Sequence, residues 1–176
     1  MKYNLIIDFE TSGFAEDKGQ PIELGCVLSD KDDFSVVSEF QVYIKFDPKN
    51  FDWSSEAEEI HGITIDELEK HGVDIDVAWG KFLDWLGGYI DLDEKRVVMF
   101  GGQNVQFDLC FLRIMAGAGH YGLPPWATYH VRDSQIWAQL ITQASILANG
   151  FNSAPFKDPK TGYPSHTLVD IADSLG

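Results

Sequence analysis

The chain has 176 residues, of which 44% are hydrophobic and 13% aromatic, and its net charge is −15 at pH 7. This apolar content excludes a disordered chain and allows one domain, residues 1–176, with a sizeable core. The acidic balance excludes broad, non-specific adhesion to nucleic acid or anionic membrane, although metal ions at an acidic site can supply positive charge. No apolar run approaches membrane-spanning length, and the start lacks a signal-peptide pattern.

The two cysteines, Cys26 and Cys110, each lie in an apolar run and form no C-x-x-C pair. This pattern is typical of reduced cysteines in a core rather than of a disulfide or a zinc site. We therefore predict that both are buried, and we expect a cytoplasmic protein.

The first predicted strand starts at Asn4 and runs four mostly apolar residues into Asp8 and Glu10. Residues two apart in a strand point to the same face, so both carboxylates leave the sheet side by side. Two crowded carboxylates repel each other unless a cation shares them. An isolated D-x-E is nevertheless more typical of a solvated strand end, so this pattern needs support from the rest of the chain.

An antiparallel meander is predicted for the first part of the chain. Residues 22–28 form the second strand, residues 29–33 a solvated hairpin tip, and residues 34–46 the third strand. The first strand is expected to lie centrally in the sheet, because its apolar run is nearly continuous.

Helices alternate with strands afterwards. Thr64 and Glu67 form a capping-box pattern that starts one helix, and a second runs from about Val77 to residues 87–88. A strand at 96–100 precedes a helix whose spacing places Asp108 in or near its first turn. The chain then continues with a strand at 129–133, a helix at 134–148, a loop at 149–164 and an amphipathic helix at 167–175. The order predicts an α/β fold, a mixed sheet with helices packed against it.

Three stretches of this chain resemble the motifs of the DEDD family of 3′–5′ exonucleases. Residues 8–13 (DFETSG) are similar to that family's D-x-E-[ST]-[ST]-G, and residues 104–108 (NVQFD) to its N-x-x-F-D. Residues 60–64 (IHGIT) resemble the H-G-I-[ST] segment of its histidine branch. The three stand in the family's order, and the resemblance covers nearly the whole chain.

The resemblance implies a ribonuclease-H-like mixed sheet, an early antiparallel meander with later parallel strands, flanked by helices. It also implies a metal-dependent 3′–5′ exonuclease that releases nucleoside 5′-monophosphates from the 3′ end of single-stranded DNA or RNA. The alternative is a non-catalytic nucleic-acid-binding or regulatory module on the same fold, and an endonuclease is a second rival. The sequence leaves the choice between DNA and RNA open, because the contact to the 2′-hydroxyl depends on pocket geometry.

Three carboxylates are predicted to be catalytic and to bind metal: Asp8, Glu10 and Asp108. In phosphodiester hydrolysis, two divalent ions bind and stabilise the attacking and leaving oxygens. Mg²⁺ or Mn²⁺ favours carboxylate ligands. Asp8 is expected to bridge both ions, Glu10 to hold the ion that activates water, and Asp108 to hold the other. The competing interpretation of Asp108 is an acid that stabilises a helix N-terminus.

Six further residues are predicted to bind substrate: Thr11, Ser12, Gly13, Phe14, His61 and Asn104. The turn at 11–13 would offer backbone N–H groups or close approach to the terminal sugar. Phe14 would stack on a base, and His61 would line the pocket of the terminal nucleotide. Each of the last three residues also has a structural interpretation that fits the sequence equally well. Phe14 would only be packed beside the turn, His61 would stabilise a loop, and Asn104 would cap a helix.

The third motif of the family is incomplete here. The histidine branch requires H-x-x-x-x-D, but five residues after His166 stands Ile171. The tyrosine branch requires Y-x-x-x-D, but four residues after Tyr163 stands Thr167.

Two explanations of this departure compete. In one, His166 and Asp170 form a degenerate motif, with His166 as the general base. In the other, the domain lacks its C-terminal catalytic motif, which lies beyond Gly176. Helical spacing favours the second, because it turns Asp170 and Asp173 away from the apolar stripe of the last helix.

Overall fold

A computed structural model of the chain describes residues 1–117, 124–149, 154–158, 160, 161 and 163–165. These residues contain five strands: β1 (Tyr3–Thr11), β2 (Pro21–Asp30), β3 (Val36–Tyr43), β4 (Val98–Gly102) and β5 (Ala127–Asp133). They also contain five α-helices: α1 (Ser55–His61), α2 (Ile65–His71), α3 (Ile75–Gly87), α4 (Val105–Met115) and α5 (Ser134–Asn149).

The sheet is mixed, and β1 lies at its centre. The strand order is β3-β2-β1-β4-β5, with β1–β2 and β2–β3 antiparallel and β1–β4 parallel. Successive residues of β1 alternate between faces, so Leu5, Ile7 and Phe9 enter the main core while Asp8 is exposed. This arrangement confirms the predicted meander followed by parallel pairing.

The core between the sheet and helices α3 and α4 holds β1 in place. Phe82 and Phe111 are fully buried there, and Leu112 is buried against the same cluster. Each such side chain contributes about 1.5–3 kcal/mol when it is removed from water. The strand that carries the acidic pair is therefore supported by the largest buried cluster of the described residues.

Helix α1 was not predicted from the sequence. Ser54 caps it by accepting the Ala57 N–H, and it ends at Gly62, whose φ of 72° is the left-handed conformation that favours glycine. The helix buries none of its residues, so it shows no apolar stripe for a pattern to detect. The predicted capping box of α2 is confirmed, because Thr64 and Glu67 bond reciprocally.

Several predicted boundaries were wrong by a few residues. Strand β3 starts later than residue 34 because Phe34 adopts a positive φ of 60°. It ends at Tyr43, after which Ile44 makes an isolated parallel bridge to Val73. Arg96 likewise has a φ of 58°, so β4 begins at Val98 rather than at residue 96.

The prediction for the cysteines was right for Cys26 and wrong for Cys110. Cys26 is buried on β2, and burial raises the pKa of its thiol above the ordinary value. Cys110 is free and exposed, because the buried side of α4 is formed by neighbouring positions such as Leu109, Phe111 and Leu112.

The chain divides into two compact units. The first consists of Met1–Gly101 and Val105–Val131, and contains the main core. The second consists of Gly102–Asn104 and Arg132–Gly176, where Ala138 and Phe156 are buried together. No helix in the described part of the chain is long and apolar enough to cross a membrane. The predicted helix at 167–175 and His166 lie outside the described residues.

Candidate active site

Asp8 and Glu10 lie side by side on one face of β1, as predicted. In the antiparallel register with β2, Asp8 lies opposite Gly25 and Glu10 lies opposite Glu23. Gly25 has no side chain, so the surface beside Asp8 stays open. Asp8 is exposed and Glu10 is partly buried. The strand thus presents a carboxylate pair on an accessible face, with a third carboxylate directly across from Glu10.

Asp108 is brought to the same stretch of β1 from α4. Its Oδ1 accepts the Phe9 backbone N–H at 2.9 Å, and the residue is only 3% exposed. The parallel pairing of β1 with β4 covers Tyr3 to Ile6, so the Phe9 N–H lies beyond the end of that ladder. The Asp108 carboxylate therefore satisfies a backbone donor that the sheet leaves unpaired, between Asp8 and Glu10 in sequence.

Negative charge accumulates around Glu10. Burial, the charge of Asp8 and the charge of Glu23, in that order, raise the pKa of the Glu10 carboxyl above its ordinary value. The Gln41 side-chain amide donates a hydrogen bond to Glu23 Oε1. In the described part of the chain, no ion pair neutralises Asp8, Glu10 or Glu23.

The donor chemistry of Asp8 and Glu10 fits a divalent cation, because hard ions prefer carboxylate oxygens and would relieve this repulsion. Within the described residues, however, no group of three or more His, Cys, Asp or Glu side chains is arranged as a metal site. The fit therefore rests on the two strand carboxylates. The role of Asp108 as a metal ligand stays a prediction.

The turn after β1 is held by Ser12. Its hydroxyl donates to the Asp52 carbonyl at 2.7 Å and accepts the Gln20 N–H at 2.9 Å, and the residue is buried. The Ser12 carbonyl also accepts the Ser54 N–H at 2.7 Å. These bonds fix the turn to the segment that precedes α1. The predicted contact of Ser12 with substrate therefore rests on its place in the turn rather than on a free hydroxyl.

A pocket of about 570 Å³, here called the aromatic pocket, opens beside Glu10. Its lining comprises Phe9, Glu10, Thr11, Ser12, Gly13, Phe14, Asp17, Asp52, Trp53, Ser54, Glu56, Ala57, Ile60, His61 and Phe107. Phe14 is 63% exposed and meets Phe107 edge to face at a centroid distance of 6.4 Å, while Ile60 is 86% exposed. Exposed apolar side chains around a concave site are typical of a surface that receives a flat apolar ligand group.

His61 lines the aromatic pocket as a neutral imidazole. Its Nδ1 accepts the Ile63 N–H at 2.9 Å, which places the ring proton on Nε2. Burial lowers the pKa of His61 below its ordinary value. The charge of Glu58, the Thr11 backbone and the charge of Glu23 oppose this shift. In the described part of the chain Nε2 makes no hydrogen bond that meets ordinary distance and angle limits. The Nε2 atom is itself buried beside the Thr11 backbone, so His61 forms part of the pocket wall without presenting a free donor to it.

Asn104 belongs to the second compact unit. It is exposed and adopts a left-handed φ of 52°, and its N–H donates to Asp133 Oδ1 at 3.2 Å. The same oxygen accepts the Gln135 N–H at 2.9 Å at the start of α5. The predicted contact of Asn104 with a nucleotide stays a prediction.

Residues 5–152 match the RNase_T family model, which is described as an exonuclease family. The chain belongs to this exonuclease family. The resemblance to the DEDD exonucleases is thereby confirmed. Assignment to the histidine branch stays a prediction, because His166 lies outside the described residues.

Similar proteins include the 3′–5′ DNA exonuclease Cap18 of Escherichia coli, which is 29% identical over 106 residues. That match covers 60% of this chain and 52% of Cap18, so the matched segment spans about half of that relative. E. coli Exonuclease I with a dA13 oligonucleotide superposes with a TM-score of 0.72 and 20% identity, over 100% of this chain and 36% of that one. The complex of the same protein with a dT13 oligonucleotide superposes with a TM-score of 0.72 and 18% identity, over 99% of this chain and 36% of that one. These likenesses show the shared fold.

Sequence reasoning missed several residues of the exonuclease domain that line or border its pocket. Trp53 and Ile60 flank or lie on α1, whose lack of an apolar stripe hid it, although Ser54 and Gly62 carried cap signals. Phe107 was interpreted only as part of a helical stripe. Glu23 was interpreted only as part of a strand, because its position opposite Glu10 depends on the hairpin register.

Proposed function

We propose that this chain is a metal-dependent 3′–5′ exonuclease that removes nucleoside 5′-monophosphates from the 3′ end of single-stranded DNA. The observation that carries the proposal is the carboxylate pair of Asp8 and Glu10 on one face of β1, next to the aromatic pocket. Asp8 and Glu10 leave the strand on one face, and Asp108 binds the backbone between them. Membership of the exonuclease family supports the reaction class.

DNA is proposed rather than RNA because of the relatives. Cap18 is a DNA exonuclease by its description, and the Exonuclease I structures contain dA13 and dT13. The matches cover about half of Cap18 and about a third of Exonuclease I, so their substrates support the proposal only by likeness.

Hydrolysis of the last phosphodiester forms a bond from a water oxygen to phosphorus and breaks the bond from phosphorus to the 3′ oxygen of the penultimate sugar. That oxygen leaves with a proton, and the phosphate stays with the released nucleotide. Divalent ions held by Asp8 and Glu10, with Asp108 as the proposed third ligand, would stabilise the charge on the attacking and leaving oxygens.

The remaining residues bind and orient the terminal nucleotide. Phe14, Trp53 and Phe107 offer aromatic surface for the base, and stacking of this kind is worth about 1–3 kcal/mol per base. His61 lines the same pocket beside them. Because Ser12 locks the turn, the Thr11–Gly13 backbone stands beside the pocket without having to reorganise on binding.

A 5′-labelled single-stranded oligonucleotide incubated with Mg²⁺ or Mn²⁺ tests the proposal. We expect a ladder that shortens one nucleotide at a time from the 3′ end and disappears with a chelator. Asp8→Asn should abolish the ladder, whereas the control Asp66→Asn on exposed α2, which removes the same charge away from the pocket, should not.

Internal fragments from the first time point would instead indicate an endonuclease. Oligonucleotide binding without shortening, by wild type and Asp8→Asn alike, would favour the non-catalytic module. Either result would contradict the proposed reaction.

A further inference from the structure

The unit that carries the candidate site is strongly acidic. Met1–Gly101 and Val105–Val131 contain 24 Asp and Glu residues against 10 Lys and Arg, a net charge of −14. The remaining residues contain 4 acidic and 3 basic side chains, so they add no compensating positive charge. A long single strand carries one negative charge per phosphate and is repelled by such a field.

The aromatic pocket repeats this charge pattern locally. Its charged lining consists of the carboxylates of Glu10, Asp17, Asp52 and Glu56, and the described lining contains no Lys or Arg. Burial keeps the pKa of His61 low, so that ring adds no positive charge near neutral pH. Proteins that bind along a nucleic-acid backbone use a positively charged groove. Their binding weakens as salt rises, and more steeply the more phosphates they neutralise. The lining of this pocket contains no such groove.

The attractive features of the pocket act on one nucleotide. The aromatic surface and the turn backbone are confined to a cavity of about 570 Å³, which suits a single small ligand group. A divalent ion would compensate charge only at the phosphate it touches. Every further phosphate of a longer strand therefore adds repulsion without adding a contact to the described pocket.

We infer that the substrate class of this chain is short oligonucleotides, recognised at the terminal nucleotide, and that longer strands are bound less well because of their charge. The inference rests on the proposed exonuclease function. It predicts a salt dependence opposite to that of proteins that bind nucleic acid through positive charge. Added salt should lower KM for long strands by screening the repulsion, whereas KM for short ones should hardly change.

The test compares a thymidine trinucleotide with an oligothymidine of about 30 nucleotides at constant free Mg²⁺, while KCl rises from about 20 mM to about 200 mM and the screening length falls severalfold. We expect KM for the long strand to fall about three- to tenfold, and KM for the trinucleotide to change less than about twofold. At low salt the trinucleotide should have the higher kcat/KM. A long strand preferred at low salt, with KM rising as salt is added, would overturn the inference while leaving the exonuclease function intact.

Glu59 provides matched charge variants outside the lining of the pocket. It is exposed on α1, so Glu59→Gln keeps the size and removes one charge. Glu59→Lys reverses the charge. KM for the long strand at low salt should fall from wild type to Gln to Lys, with little change for the trinucleotide. Equal effects on both lengths would contradict the inference.

Binding measured separately from cleavage keeps the two proposals apart. Titration calorimetry with Ca²⁺ in place of Mg²⁺ gives the Kd of each length without requiring turnover. If neither length is cleaved, the exonuclease function fails. Tighter trinucleotide binding at low salt would then still support the inference, and tighter binding of the long strand would refute it.

Discussion

Replacing Asp108 separates its structural role from its chemical role. Asp108→Ala removes the acceptor of the Phe9 N–H, whose nitrogen lies 2.9 Å from Asp108 Oδ1, and Phe9 is itself only 5% exposed. A buried donor left without a partner costs about 1–3 kcal/mol. Asp108→Asn keeps an oxygen in the same place and removes only the charge.

For a chain of this size, 1 kcal/mol shifts Tm by about 2–4 °C, so Asp108→Ala should lower Tm of the metal-free protein by about 2–12 °C. Asp108→Asn should stay within about 2 °C of wild type. Both should lose exonuclease activity, because neither retains the third carboxylate. Differential scanning calorimetry in a chelator and the ladder assay measure the two effects. An alanine variant as stable as wild type would refute the structural role that we assign to this hydrogen bond.

Four further predictions concern the charges around β1 and the general base. Asp8→Asn should leave Tm in a chelator unchanged or higher, since it removes a crowded charge from an exposed strand position; a large loss of Tm would make Asp8 structural. Because the pKa of Glu10 is raised on folding, protonation of its carboxyl stabilises the folded state. This stabilisation is fully present below the ordinary pKa and is lost as pH rises through the raised value. Urea titrations across that window should therefore show a pH dependence that Glu10→Gln removes. Glu23→Gln should raise the free energy of unfolding in chelator by about 0.2–1 kcal/mol by removing the like charge opposite Glu10, and should weaken Mn²⁺ binding in calorimetry. His166→Ala should change the cleavage rate less than about twofold, whereas a loss of about 10²- to 10⁴-fold would identify His166 as the general base.

The local rules of strand and helix predicted the parts of the site that depend on one element. The two-residue period of β1 placed Asp8 and Glu10 on one face, and helical spacing placed Asp108 in the first turn of α4. The capping box at Thr64 predicted the start of α2 for the same reason, since both partners lie within one turn.

Contacts between distant segments could not be predicted in this way. The bond from Phe9 to Asp108 joins residues 99 positions apart, and the pairing of Glu10 with Glu23 depends on the register set by the connecting turn. The left-handed residues Phe34 and Arg96 shortened two strands without a glycine to signal the break. Helix α1 brought Ile60 to the pocket without burying any residue of its own.

Anomalous diffraction from crystals grown with Mn²⁺ and thymidine 5′-monophosphate tests the central claim most directly. The account predicts a manganese peak bound by Asp8 and Glu10 carboxylate oxygens at about 2.0–2.3 Å, with Asp108 and the nucleotide phosphate completing the site and the base in the aromatic pocket. Crystals that bind the nucleotide elsewhere, with no manganese within about 4 Å of Asp8 or Glu10, would contradict it.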